Sequence, residues 1–450
     1  MHWALPLLIL ILMSTGMAQV ATQDSPAKAP QRWNLFFQAT SIGQYHGTFR
    51  APYTGANSLE PFRERDVSLT TTLFFGLRLK RNTVLYFNPE IAGGRGFSAV
   101  TGVANFPNGE LPRVASATPK PYIARLYIMQ DFGFGNAKES FERDANQLAG
   151  GRPETRYTIY AGRFTLTDFF DNNRYTHDPR TQFMGWAIMY NGAWDYPADT
   201  RGYTWGWVHE FHTRRWSLRY GSAAEPKIAN GLRFDRRLFR DRGDVVEGEI
   251  RYKPRDHPGA VRLLGYVNHT DSGSYADAIR LADQMGGVPD IDLVHRAGTR
   301  KLGFGVNAEQ EVAKDIGVFA RLGWNDGKTQ DFVFTAIDRL ASAGISVGGS
   351  YWRRPHDVAG TAVTFSGVSG IHRQYLARGG LDFIIGDGRL NYGLETISET
   401  YYNARVLPWL FTTFDLQHVA NPAFNSDRGP LWVPSLRFHI AFGVDGMLRR

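Results

Sequence analysis

From Trp33 onward the chain alternates apolar and polar residues with a period of two. Val67, Leu69, Thr71, Leu73, Phe75, Leu77 and Leu79 share one face of a segment whose other face carries Ser68, Thr70, Thr72, Gly76 and Arg78. Val246, Gly248, Ile250 and Tyr252 alternate in the same way with Glu247, Glu249, Arg251 and Lys253. Leu302, Phe304, Val306 and Ala308 alternate with Gly303, Gly305, Asn307 and Glu309, and Leu436, Phe438, Ile440 and Phe442 with Ser435, Arg437, His439 and Ala441. Successive strand side chains point to opposite faces, so each segment is predicted to be a strand with one greasy and one wet surface. Arg81-Asn82, Lys314-Asp315, Asp387-Gly388 and Ala404-Arg405 are the expected hairpin turns between paired runs. Helical spacing is confined to Ala137–Leu148 and Ser274–Met285, both expected as loop helices.

A soluble sandwich or propeller would bury the apolar face against another sheet, whereas a transmembrane barrel turns it to lipid and keeps the polar face inside. Several features favour the barrel. The strands often reach ten residues, and charges sit mid-strand at Glu90, Arg219, Glu249, Arg378 and Glu395. Aromatics crowd the strand ends at Trp205, Trp207, Trp324, Tyr351, Trp352, Tyr401 and Tyr402, and the last strand ends on Phe442. The prediction is an all-β transmembrane antiparallel barrel of about 16 strands, with 18 as the alternative. A barrel of that size leaves an aqueous lumen. Residues 93–119, 166–182, 222–244 and 269–299 form long loops, one of which is expected to fold inwards and narrow the pore.

Composition narrows the class. The 450 residues are 43% hydrophobic and only 21% charged, too apolar for a disordered chain. With no cysteine, thiol nucleophiles, cysteine-ligated zinc, Fe–S clusters and disulfides are excluded. The net charge of +8 is spread along the chain with Arg residues set singly among acids, so no nucleic-acid partner is expected. Residues 4–13 form an uncharged apolar run, followed by Gly16-Met17-Ala18 with small residues placed for cleavage after Ala18. That run is shorter than the ~20 residues a bilayer-spanning helix needs. The expected organisation is a cleaved signal peptide (1–18), a flexible lead-in (19–32), an outer-membrane barrel (33–442) and a tail (443–450).

From Gly162-Arg163-Phe164 and Asp168-Phe169-Phe170-Asp171-Asn172-Asn173-Arg174-Tyr175 onward, the sequence resembles the carbohydrate-selective porin (OprB-type) family. The likeness continues through His177-Asp178-Pro179-Arg180 and Trp186-Ala187, and returns at Arg354-Pro355-His356-Asp357, at His372-Arg373-Gln374-Tyr375-Leu376 and at Gly386-Asp387-Gly388. It is densest in Glu399-Thr400-Tyr401-Tyr402, Pro408-Trp409, Asp415-Leu416-Gln417 and Asn421-Pro422. The resemblance spans roughly Trp33 to Phe442. It implies a 16-stranded outer-membrane porin that passes sugars passively through a constriction lined by charged and polar side chains. The family's usual N-terminal aromatic-glycine segment is replaced by Trp33-Asn34-Leu35-Phe36-Phe37, and the chain continues past Phe442, which marks a divergent branch.

A sugar offers hydroxyls that donate and accept, plus weakly apolar ring faces, so its path should supply carboxylates, Arg and aromatic platforms with weak binding. The candidate pore-lining residues are Glu90, Asp171, Arg174, Asp178, Arg180, Arg219, Glu249, Arg321, Arg378, Glu395 and Asp415. The segment Asp168–Arg180 is the densest constellation. It reads as an inward-folded constriction or a self-paired turn. A Ca²⁺ loop is the third reading, disfavoured because EF-hand spacing is absent. Glu395→Ala and Arg174→Ala are expected to alter conductance or sugar affinity with little loss of folded barrel. Partners expected are carbohydrate solutes and outer-membrane lipid and lipopolysaccharide, with a single barrel or a homotrimer both open; no cofactor or metal is expected. A general or anion-leaning porin and a polysaccharide exporter are the alternatives.

Three motifs are set aside. Gly344-Ile345-Ser346-Val347-Gly348 matches a nucleophile elbow, but its residues alternate as in a continuous strand. Gly303, Gly305 and Ala308 echo a dinucleotide loop with no helix to follow. His209-Glu210-Phe211-His212 falls one residue short of a zinc motif and would point its first two side chains to opposite faces. No enzymatic activity is expected.

Overall fold

Sixteen antiparallel strands pair with their neighbours in sequence, and the first pairs with the last, so the sheet closes without an edge. The structure is a computed structural model that describes residues 30–110, 117–235 and 240–447. The expected signal peptide, and the lead-in as far as residue 29, lie outside the described residues. The strands are β1 (Gln31–His46), β2 (Glu64–Lys80), β3 (Thr83–Gly94), β4 (Lys120–Phe141), β5 (Gly150–Phe164), β6 (Thr204–His212), β7 (Trp216–Ala224) and β8 (Arg242–Tyr252). They continue as β9 (Gly259–Ser272), β10 (Arg296–Ala313), β11 (Ile316–Asn325), β12 (Arg339–Gly348), β13 (Val358–Gly367), β14 (Glu395–Leu407), β15 (Leu410–Ala420) and β16 (Leu431–Met447).

The alternation sets the facing. On β2, Val67 and Leu73 are 60% and 40% exposed, while the intervening Thr70 and Thr72 are 4% and 1%. Val246, Ile250, Leu302, Phe304, Leu436, Phe438 and Phe442 likewise point outwards, and Glu247, Glu249, Asn307, Arg437 and His439 point inwards and are buried. The even strand number brings both ends of the barrel to one rim, where Gln31 lies opposite Met447. That rim carries the short connections, such as 81–82, 314–315 and 408–409; the other carries long loops at 95–119, 165–203, 273–295, 326–338 and 368–394.

Several expectations are corrected. Ala137–Leu148 is not a helix: β4 runs to Phe141, with Glu139 opposite Arg152 and Phe141 opposite Gly150, because pairing with β5 satisfies a backbone that a short solvated helix would leave weakly supported. The rest of the segment folds across the short-turn rim, where Asn34 donates to the carbonyls of Asp144 (3.2 Å) and Gln147 (2.7 Å). Asp387-Gly388 lies inside the 368–394 loop and not in a hairpin, and the turn assigned to Ala404-Arg405 falls at residues 408–409 because β14 and β15 stay paired to Leu407. β16 passes Phe442 and pairs with β1 as far as Met447, so strand structure continues into the stretch taken for a tail. Ser274–Met285 does contain a helix, α2 (Tyr275–Met285), capped by Ser274 Oγ accepting from the Asp277 amide. The other helices are α1 (Trp186–Met189) and α3 (Gly370–Ala377), placed before and after it in the chain. Gly344–Gly348 lies in β12, Gly303–Ala308 in β10, and His209-Glu210 in β6.

Candidate channel lumen and constriction

The lumen is filled chiefly by the 165–203 loop, whose aromatic residues Phe170, Trp186, Trp194 and Tyr196 are packed with Phe106 and Phe334 from neighbouring loops into one core. A loop inside a barrel must have its backbone hydrogen bonds satisfied, and the inward-facing wall residues supply them. Arg321 on β11 is fully buried and donates to Asp171 Oδ1 (3.1 Å), to Ile188 O (2.7 Å) and to Thr176 O (2.9 Å). Glu399 on β14 accepts from the amides of Met184 (2.5 Å) and Gly185 (2.8 Å). Glu395 accepts from Ala104 (3.0 Å), Asn105 (2.6 Å) and Ala423 (2.8 Å), and Arg437 on β16 donates to Pro179 O (2.6 Å) and Gln182 O (2.9 Å). Charge-assisted bonds of this kind are roughly twice as strong as neutral ones. The wall therefore clamps the 165–203 loop, and through Glu395 the 95–119 loop, largely by the main chain.

A second network runs along the wall. Arg219 on β7 bridges Glu210 (2.6 Å), Glu247 (2.9 Å) and Glu249 (2.7 Å), and Arg262 continues it to Glu309 (3.2 Å). Glu247 also accepts from the Asp171 amide at 2.7 Å, and Glu309 from the Arg174 amide at 2.7 Å, so this ladder too ends on the loop.

The charges differ around the turn at residues 178–181, where Asp178 accepts from Thr181 Oγ1 (2.8 Å) and the Arg180 amide (3.1 Å). Arg180 reaches Glu110 (2.9 Å) from the 95–119 loop and comes within 3.9 Å of Glu90 on β3. With its amide oriented to accept, Gln38 stands 3.0 Å from Arg180 Nε. Glu90 is held by Thr72 (2.6 Å), Tyr203 (3.2 Å) and Tyr122. Burial pushes the Glu110 carboxyl above its ordinary range, against the pull of Arg180. Asp178 is held below its own: burial works against ionisation, but Arg180 beside it prevails.

A cavity of about 350 Å³ adjoins this turn, bounded by Asp168 and His177 of the loop, by β2–β5 and by residues 144–148. It combines aromatic rings (Tyr86, Tyr127, Tyr160 and Phe169) with charged groups already fixed in place. Arg152 grips Asp131 with two bonds of 2.8 Å, and Arg125 grips Asp168 with bonds of 2.7 and 2.6 Å.

The structure thus divides the residues singled out in the sequence. Glu90, Asp178 and Arg180 meet at one place. Arg174, the most exposed of the loop's charges, stands apart from them, 3.7 Å from Glu311. Asp171, Arg321 and Glu395 are buried in loop clamps, Arg219 and Glu249 in the wall network, and Asp415 behind the clamp residues Glu399 and Arg437. Arg378 is not on a wall strand as expected: it follows α3 in the 368–394 loop and pairs with Asp283 of α2, because Ser369 caps a helix where alternation had suggested a strand. The acids of 168–178 do not converge as a Ca²⁺ loop would require, since Asp168, Asp171 and Asp178 turn to Arg125, Arg321 and Thr181. Glu110, Gln38, Arg125 and Tyr203 were not singled out. Only the alternation of Arg125 with Ala124 and Leu126 on β4 gave a signal for any of them.

A family model described as "Carbohydrate-selective porin, OprB family" matches residues 56–442. No curated protein matches the chain in a sequence comparison. Among solved structures, the chain is similar to Pseudomonas putida OprB at high pH, with 16% identity, a TM-score of 0.68 and coverage of 92% of this chain and 94% of that one. The low-pH structure of the same protein gives 13% identity and a TM-score of 0.48, over 90% and 92% of the two chains. At such identities the structural likeness speaks for the barrel fold alone; the family follows from the sequence match over most of the chain. The chain belongs to the OprB family of carbohydrate-selective porins, outer-membrane β-barrels that work as transport channels and not as enzymes.

Proposed function

We propose that carbohydrates cross this barrel past Arg180, between Glu90 and Glu110, and through the cavity beside the loop, which opens towards the periplasm. The observation that carries the reading is the cavity itself. Its volume falls in the usual range of small-molecule pockets, about 300–1,000 Å³, and it sets aromatic faces beside fixed Arg–carboxylate pairs. Rings of Tyr and Phe match the apolar face of a pyranose, while Arg152, Arg78 and Asp131 present donors and acceptors to its hydroxyls. Because Arg152 and Asp131 are paired with each other and Arg78 is bonded to the carbonyls of Gln31 and Arg81, each would hold a passing sugar weakly, which conduction requires.

The remaining parts of the reading follow the physics of outer-membrane barrels. Short turns face the periplasm and long loops the exterior, so the rim with Gln31 and Met447 is periplasmic. The outward belt of Leu, Val and Phe contacts lipid, and a signal peptide cleaved after Ala18 delivers the chain for assembly. The test is planar-bilayer conductance of the refolded protein titrated with neutral sugars, alongside Arg180→Ala and Tyr86→Ala. Saturable block in the native channel, weakened in both variants, is the expected result. Steps that no sugar blocks would make the route a general aqueous one, and block unchanged in both variants would move the path elsewhere in the lumen.

A further inference from the structure

Away from the constriction, among the long loops, a group of ionisable side chains is wholly buried. Asp331 and Asp338 come from the 326–338 loop, His372 from α3, Asp382 from the segment after it, Asp195 from the 165–203 loop and Lys301 from β10. Lys301 is the one ammonium. It bonds Asp331 through Oδ1 and Asp195 through Oδ2 (3.3 Å). Four carboxyl groups thus face one lysine and one imidazole, so acidic groups outnumber basic ones by two. Burial of uncompensated charge is strongly unfavourable.

The geometry shows where the missing positive charge fits. His372 Nδ1 points between two carboxylates, 3.1 Å from Asp338 Oδ2 and 4.0 Å from Asp331 Oδ2. One ligand atom from each of the three residues lies within 4.8 Å of the others. Asp331 Oδ2 and Asp338 Oδ1 are buried with no hydrogen-bond partner among the described residues. On the far side of the ring, Nε2 is 3.3 Å from Asp382 Oδ2, and Tyr275 stacks on the ring face at 4.2 Å. A carboxylate behind an imidazole is the usual means of fixing a metal-binding histidine's tautomer and orientation.

We infer that Asp331, Asp338 and His372 form a site for one divalent transition-metal ion, tying the 326–338 loop to α3. Two carboxylates and an imidazole suit Zn²⁺ or Mn²⁺, whereas Ca²⁺ and Mg²⁺ prefer oxygen alone. With the ion bound, His372 is neutral and donates through Nε2 to Asp382, and Lys301 stays on Asp331 Oδ1 and Asp195. The ion acts as a staple for loops whose sheet pairing is limited to isolated bridges such as Thr329 with Ser274.

The test uses the full refolded barrel, stripped with a chelator and then titrated with Zn²⁺ and separately with Mn²⁺ by calorimetry, with bound metal counted by elemental analysis. One equivalent of at least one ion is expected. Asp331→Asn and His372→Gln should each weaken binding at least tenfold, with the heat-resistant migration of the folded barrel retained as proof of assembly. Sugar block of the channel should persist in both, since neither residue touches the cavity. Failure of the stripped native barrel to bind either ion would overturn the inference, as would binding undiminished in the two variants.

Discussion

The two sides of the lumen wall carry the same kinds of residue on the same inward face, yet they use them differently. From β7 round to β16, Arg219, Glu249, Arg321, Glu395, Glu399 and Arg437 are consumed by each other or by the main chain of loops folded against the wall: the 165–203 loop for Arg321, Glu399 and Arg437, and the 95–119 loop with the Ala423 turn for Glu395. From β2 to β5 the charges are paired side chain to side chain, Glu90 with Thr72 and Arg125 with Asp168 of the loop, and Asp131 with Arg152 on the wall of a cavity. The difference lies in what stands opposite. Where a loop backbone presses on the wall, a buried charge is an anchor; where the loop stands off, the same charge can face a solute. An inward charge in a porin strand is therefore no evidence by itself of contact with substrate.

The comparison breaks most visibly at Arg321. Arg321→Ala leaves the buried Asp171 carboxylate without its cation and removes one donor from each of three loop carbonyls, a loss of about 3–5 kcal/mol by analogy with other broken buried pairs. Urea unfolding in lipid should show that loss. Single-channel traces should show a larger, noisier conductance as the 165–203 loop detaches, and a quiet channel of native size would refute the clamp. Glu395→Ala belongs to the same class. Contrary to the sequence expectation that its loss leaves the barrel intact, Glu395, the first residue of β14 and not a mid-strand charge, is expected to destabilise the barrel on removal, because three amides lose their acceptor.

A control on facing comes next in size. Leu73→Lys places a charge towards lipid and should cost about 2–4 kcal/mol near mid-membrane, whereas Thr72→Lys, one residue away but beside Glu90, should assemble. Equal assembly yields of the two variants would contradict the assigned facing.

On the cavity side, stability should change little and transport more. Arg180→Ala is expected to raise conductance and shift selectivity towards cations, read from the reversal potential in a salt gradient. The smallest effect is that of pH. Because the Glu110 pKa is raised and the Asp178 pKa lowered, acidification neutralises Glu110 first while Asp178 and Arg180 stay charged. The constriction then gains net positive charge, and anion preference should rise on mild acidification in the native channel but not in Glu110→Gln. A pH response identical in that variant would place the titrating group elsewhere.

Much of this was legible in the sequence, and for a definite reason. Period-two alternation is local: whether Val67 or Ser68 faces lipid depends on residues two positions away, so strand direction, facing and the 16-stranded barrel could be read from single segments. The family was readable from ordered motifs such as Asp168–Arg180 and Glu399–Tyr402. Ala137–Phe141 was misread because its helical spacing is also local, whereas its pairing with Gly150–Pro153 depends on a strand beyond the turn. Arg378 was misplaced for a similar reason, since Ser369 ends one pattern and caps another. The division of the inward charges could not be read at all. Arg321, between Ala320 and Leu322 on a strand, and Arg180, between Pro179 and Thr181 on a turn, are equally basic, and only the path of the 165–203 loop gives the first three carbonyls and an aspartate and the second two glutamates at a constriction. Alternation along a strand fixes which way a side chain points; what it meets there is decided by chain far away in sequence, 70 residues off for Arg180 and Glu110 and 150 for Arg321 and Asp171.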